Sequence, residues 1–175
     1  MKNLQFNLII CISFLVFSSC SKTFLTQETR SRIQSSGTQN IENVQFYIDE
    51  SIVIEFKTNS SEETISGGKV KFQDGYYYYT IVFPKNTPAI AEHLDGKRIK
   101  VFFENGSDRY LVFGQNDDNY YQLYGDNSSS EFYVNFEGKK MRVVQGENAY
   151  LLIKKNLEVN VDKESRKVKG IKVGS

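Results

Sequence analysis

His93 is the single histidine of the chain, and Cys11 and Cys20 are its two cysteines. Zinc sites draw three or four ligands mostly from these residue types, so this supply does not assemble the usual set. A serine–histidine–aspartate arrangement would need His93 as its base, and no serine sits in a G-x-S-x-G turn. Gly67 and Gly68 precede a strand pattern and no helix follows, which is not the layout of a phosphate-cradling loop. Hard oxygens gather in the NDDN stretch, residues 116–119. They lack the spaced ligands and closing glutamate of a calcium loop, and a polar hairpin turn accounts for them. Paired carboxylates for glycoside hydrolysis need only spatial proximity, and no pair stands out. These residue types point to a noncatalytic protein with no metal and no cofactor.

Cys20 belongs to a different chemistry. Lys2 supplies a small positive start, and LIICISFLVF, residues 8–17, is an uncharged apolar run of ten residues. That is the length of a signal-peptide core and well short of the roughly 20 residues that span a bilayer. Ser18 and Ser19 then precede Cys20. The segment resembles a bacterial lipoprotein signal, with Phe17 where leucine is usual; the other reading is a secretory signal with an incidental cysteine. The resemblance implies cleavage before Cys20, a diacylglyceryl group on its sulfur and an acyl chain on its new amino terminus. Each buried methylene contributes about 0.8 kcal/mol and a single chain anchors poorly, so several chains on one cysteine hold firmly. By the same resemblance Ser21, in place of an acidic residue, favours the outer membrane. Cys11 would leave with residues 1–19, so no disulfide can form within the mature chain.

These residues must be carried by a domain of matching size. At 175 residues, 39% hydrophobic and 25% charged, the chain has room for one sizeable core. Its 22 basic residues against 21 acidic ones create no net field for nucleic acid. Thirteen Phe, eleven Tyr and only two Pro lean toward β-structure. Residues 20–43 read as the lipidated segment. It is either a flexible tether or a short helix over residues 27–36, with Thr26 as cap, Leu25 and Ile33 as its thin apolar face and Gly37 as stop. From Val44 the pattern has period two, with Val44, Phe46 and Ile48, then Ile52, Ile54 and Phe56, on one face. Asp74-Gly75 predicts a hairpin pairing Gln73 with Tyr76, Phe72 with Tyr77 and Val70 with Tyr79. Val70 and Phe72 would then share the core face with Tyr77, Tyr79, Ile81 and Phe83. A second hairpin turns near Asn105-Gly106, with Phe102, Leu111 and Phe113 on one side and Ile99, Val101, Phe103 and Val112 on the other. A third turns at Glu137-Gly138, with Phe132, Val134, Met141 and Val143 on one side. Residues 88–94, after Thr87 and Pro88 and before Gly96, predict a short helical turn. The class is therefore all-β: about ten short antiparallel strands in one meandering barrel, roll or sandwich over residues 44–161. Residues 162–175 form a basic end. From residue 154 onward seven basic residues face three acidic ones, a net of +4 that suits a solvated end or an acidic surface.

The strand pattern projects Tyr76, Tyr78, Tyr120, Tyr124 and Tyr133 outward. Such a set serves either as cross-strand aromatic pairing or as a binding face for glycan, peptide or protein. VQFYIDESIVIEF, the RYLVFG and YYQLYG pair and AYLLIKK together resemble a family of small uncharacterised lipoproteins of Bacteroidota, from about residue 25 to residue 170. Some small lipoproteins of that phylum belong to transenvelope machines, which by analogy alone allows a subunit role. The resemblance implies a lipid-anchored protein of the outer membrane, on the periplasmic leaflet because Ser21-Lys22-Thr23 lacks an acidic run. Its partners would be the membrane, through the anchor, and another envelope protein. The alternative function is a β-module that takes glycan, peptide or lipid on an aromatic face or in a barrel interior.

Overall fold

The computed structural model describes residues 21–35, 41–59 and 68–154. Two turns show how local chemistry sets strand register. Asp74 and Gly75 have φ of 53° and 82°, and Glu137 and Gly138 have 50° and 70°. Positive φ at both central residues is what a two-residue primed turn requires, and it matches the right-handed twist of the flanking strands. The first turn joins β4 (Lys69–Gln73) to β5 (Tyr76–Phe83) with Gln73 opposite Tyr76, Phe72 opposite Tyr77 and Val70 opposite Tyr79. The second joins β10 (Tyr133–Phe136) to β11 (Lys139–Gln145). Both hairpins have the expected register.

The remaining elements are β1 (Lys22–Phe24), α1 (Gln27–Ser35), a 3-10 turn (Ile41–Asn43), β2 (Phe46–Ile48), β3 (Ile52–Thr58), β6 (Pro88–His93), β7 (Arg98–Phe102), β8 (Tyr110–Gln115), β9 (Tyr121–Leu123) and β12 (Leu151–Lys154). One antiparallel sheet has the order β1-β12-β2-β6-β7-β8-β9, and the other β10-β11-β3-β5-β4. The architecture is sandwich-like and is not a closed barrel. Period-two strands from both sheets fill the space between them. Phe46, Ile99, Leu111 and Phe113 come from the first sheet, and Ile52, Ile54, Phe136 and Met141 from the second. Full burial of each such side chain contributes about 1.5–3 kcal/mol.

The α1 helix forms where the cap and the apolar face predict it. Thr26 Oγ1 accepts the Thr29 N–H at 3.1 Å, and Leu25 and Ile33 are fully buried. Over residues 21–35 the segment is no tether. β1 pairs with β12, Lys22 opposite Lys154 and Phe24 opposite Leu152, so strand structure starts at Lys22.

Three expectations are corrected. Residues 88–94 form no helical turn, because Pro88–His93 is strand β6, paired to β2 and β7. Ala89 and Ala91 alternate inward with period two. Pro88 opens the strand, where a missing N–H costs little. In the second hairpin Ile99 and Val101 share the buried face with Leu111 and Phe113, since Ile99 pairs with Phe113 and Val101 with Leu111. Phe102 and Val112 lie on the half-buried opposite face. Val70 and Phe72 lie beside Tyr79 and Tyr77 as expected, yet remain 57% and 63% exposed. β4 is the edge of its sheet, and none of its five residues is covered among the described residues.

Candidate functional site

Cys20, like Cys11 and residues 155–175, lies outside the described residues. Among the described residues no group of three or more His, Cys, Asp or Glu side chains could hold a metal ion. His93 closes β6 and faces α1. Its Nδ1 lies 2.8 Å from a terminal nitrogen of Arg30, and its Nε2 lies 2.6 Å from the Gln34 side-chain amide. A guanidinium only donates, so Nδ1 accepts and the ring proton sits on Nε2, which requires the Gln34 amide to turn its oxygen toward the ring. Partial burial, and then the Arg30 charge, lower the His93 pKa from its ordinary value. Arg30 itself is 2% exposed. It donates to the carbonyls of Asp95 (2.7 Å) and Gly96 (3.2 Å) and to the Tyr121 hydroxyl (2.6 Å). The Tyr121 hydroxyl in turn donates to Gln27. This cluster bolts α1 to the turn between β6 and β7. The spacing of Arg30 and Ile33, one helical turn apart, was the available sign that both face the sheet.

The outward tyrosines separate into two places. Tyr124 and Tyr133 share a groove of about 520 Å³ where β8 passes the edge strand β10. Its lining also includes Tyr110, Arg98, Asp126, Asn127, Asn135 and Lys140. Tyr133 and Lys140 also border a second groove of about 370 Å³, with Tyr78, Glu55, Lys57 and Arg142. A third, of about 490 Å³, shares Tyr124, Gly125 and Asn127 with the first. The three therefore adjoin as one trough with Tyr124, Tyr133 and Tyr78 along it. Tyr76 sits beside it at the β4–β5 turn, under Lys57 at 3.9 Å. Tyr120 is elsewhere, edge-on to Phe24 at 5.6 Å and to Tyr150 at 6.2 Å.

Local rules explain why these rings lie where they do. Gly114 leaves room for the Tyr124 ring to lie across the sheet, since a Cβ there would stand 3.0 Å from a ring carbon. Arg98 covers Tyr124 at 5.2 Å, Lys100 covers Tyr110 at 4.6 Å and Lys140 covers Tyr133 at 4.8 Å. Carboxylates balance these cations. Arg142 bridges Glu55 (2.9 Å) and Glu131 (2.8 Å), and Lys140 meets Asp126 at 2.6 Å. Lys140 and then Ser128 hold the Asp126 carboxyl well below the usual carboxylate range. The Tyr133 hydroxyl, then Arg142, lower Glu131 as well. Neither carboxyl is raised toward the proton-donating range of a general acid. Cation-covered rings, side-chain amides and ionised pairs are groups that bind a partner's surface by shape, hydrogen bonds and charge.

Compared with known protein families, with curated proteins and with solved structures, the chain matches none.

Proposed function

We propose that this chain is a noncatalytic lipoprotein, anchored through acyl chains on Cys20 to the periplasmic leaflet of the outer membrane, whose sandwich binds or scaffolds another envelope component. The observation that carries this reading is the trough along Tyr124, Tyr133 and Tyr78, where aromatic rings alternate with fixed cations and ionised carboxylates. Such a lining supports recognition, because Asp126 and Glu131 are held as acceptors. The signal-like residues 8–19 and Cys20 support the anchor.

Pulldown from detergent-solubilised envelopes, with the lipidated protein as bait, tests the binding reading. A stoichiometric protein that is lost with Tyr124→Ala/Tyr133→Ala supports it. Equal capture by wild type and double variant sinks the trough as the site. A second reading is a glycan- or peptide-binding module, favoured by the unpaired amides of Asn127 and Asn135 in the groove among the described residues. A clean monomer that retains a glycan or peptide after purification supports that reading instead. The sandwich interior is filled by side chains, so a ligand of either kind belongs on the outer face. Cys20→Ser with cell fractionation tests the anchor; a variant that stays membrane-bound overturns it.

A further inference from the structure

The Phe24, Tyr120 and Tyr150 cluster lies outside the trough. Phe24 is 42% exposed and Tyr120 37%. Their rings meet edge-on at 5.6 Å, and Phe24 meets Tyr150 at 5.5 Å. Lys22 shares the Phe24 face of β1 by the two-residue period, and its Nζ lies 3.8 Å over the Tyr47 ring. The opposite side of the segment is interior, where Leu25 is fully buried. Neighbouring charges are mixed. Lys154 pairs across from Lys22, while Asp117 and Asp118 are exposed in the turn before Tyr120.

What covers this pole follows from where the chain leads. Ser21 alone separates Cys20 from β1, and two residues of extended chain reach at most about 7 Å. The headgroup layer on each side of a bilayer is roughly 5–8 Å thick. β1 has no slack to add, because it is paired to β12 and followed at once by the Leu25 N–H bond to the Leu151 carbonyl at 2.8 Å. Rings with a nearby lysine are the residues that settle in headgroups.

We propose that the pole of Lys22, Phe24, Tyr120 and Tyr150 lies on the phospholipid headgroup layer at the Cys20 anchor, so that the sandwich sits directly on the membrane and is not held off on a stalk. This rests on the lipoprotein reading of Cys20. The mixed charges make the contact aromatic more than electrostatic, so it persists in high salt.

The chain has no Trp, which allows single reporters. Lipidated Phe24→Trp and, as control, Val70→Trp on the β4 edge are reconstituted in phosphatidylethanolamine–phosphatidylglycerol vesicles. Some vesicles carry phospholipid brominated near the ester end of its chains. Phe24→Trp should lose most of its emission to the bromolipid and resist aqueous iodide, in low and high salt alike. Val70→Trp should do the reverse. Tyr120→Trp provides a second reporter should Phe24→Trp fail to fold. If the protein carries acyl chains on Cys20 by mass and floats with the vesicles, yet the pole reporter is as open to iodide as Val70→Trp, the membrane-facing pole is wrong and the anchor stands. If the mass shows no acyl chain on Cys20, both fall.

Discussion

Arg30 is a cation buried among neutral acceptors, and that makes it sensitive to loss. Its terminal nitrogens satisfy two carbonyls, a tyrosine hydroxyl and an imidazole, while its Nε has no partner. Arg30→Ala leaves the Asp95 and Gly96 carbonyls without their donor, at about 1–3 kcal/mol each where they are screened from water. The expected loss is about 3 kcal/mol by urea unfolding, and Arg30→Met recovers part of it by keeping the packed stem. Since the Asp95 carboxylate is engaged with Arg98, at 2.6 Å, it does not neutralise Arg30. His93 adds a pH dependence of known sign. Its folded pKa is lowered below the ordinary 6.5, so the unfolded chain takes up the proton first. The stability is fully present above pH 6.5 and falls as acidification passes 6.5 toward the lowered value. The ring is exposed enough for water to screen the effect, so the slope is shallow. Urea midpoints across that window should drop for wild type and flatten for His93→Gln; equal slopes would remove His93 as the cause.

At the scale of elements, α1 depends on one cap and one buried residue. Thr26→Ala removes the acceptor of the Thr29 N–H and should cost about 1 kcal/mol. Ile33→Ala opens a cavity against the sheet and should cost about 2–5 kcal/mol. Thermal unfolding of the two variants ranks cap against packing, and the reverse order would mean that α1 is barely docked. Gly114 controls the trough without belonging to the core. Gly114→Ala pushes the Tyr124 ring aside by a few tenths of an ångström and should weaken partner capture severalfold with little change in melting temperature. Unchanged capture would show that Tyr124 is a bystander. Elements set by near neighbours were legible in the sequence. The Asp74-Gly75 and Glu137-Gly138 turns set their registers through φ alone, and Thr26 marks the start of α1. β6 was not legible as a strand, because Thr87, Pro88 and a later glycine also begin and end helices. Its pairing with β2 and β7 outweighs those local cues.

The whole molecule extends the core in sequence. Leu25, Ile33 and Ile41 are fully buried, and β1 forms an edge of the seven-stranded sheet. A chain starting at residue 44 should therefore lack a cooperative transition, whereas residues 21–154 should melt as one unit; a folded residue-44 chain would show that β1 and α1 are dispensable. The trough also exists only at this scale. Tyr124 follows β9 of one sheet, and Tyr133 and Tyr78 belong to β10 and β5 of the other. The sequence offered five outward tyrosines, and the fold groups Tyr124, Tyr133 and Tyr78, sets Tyr76 beside them and sends Tyr120 to Phe24 and Tyr150. By itself the sequence determined the all-β class and the registers of the Asp74-Gly75 and Glu137-Gly138 hairpins and offered α1 beside a tether, since turn φ values, the two-residue period and a cap act over a few bonds. Only the tertiary structure decided the strand order, the bare β4 edge, the burial of Arg30 and which tyrosines meet. Those depend on contacts between residues more than a hundred apart, such as the Tyr150 N–H on the Asp49 carboxylate, and no local pattern encodes them.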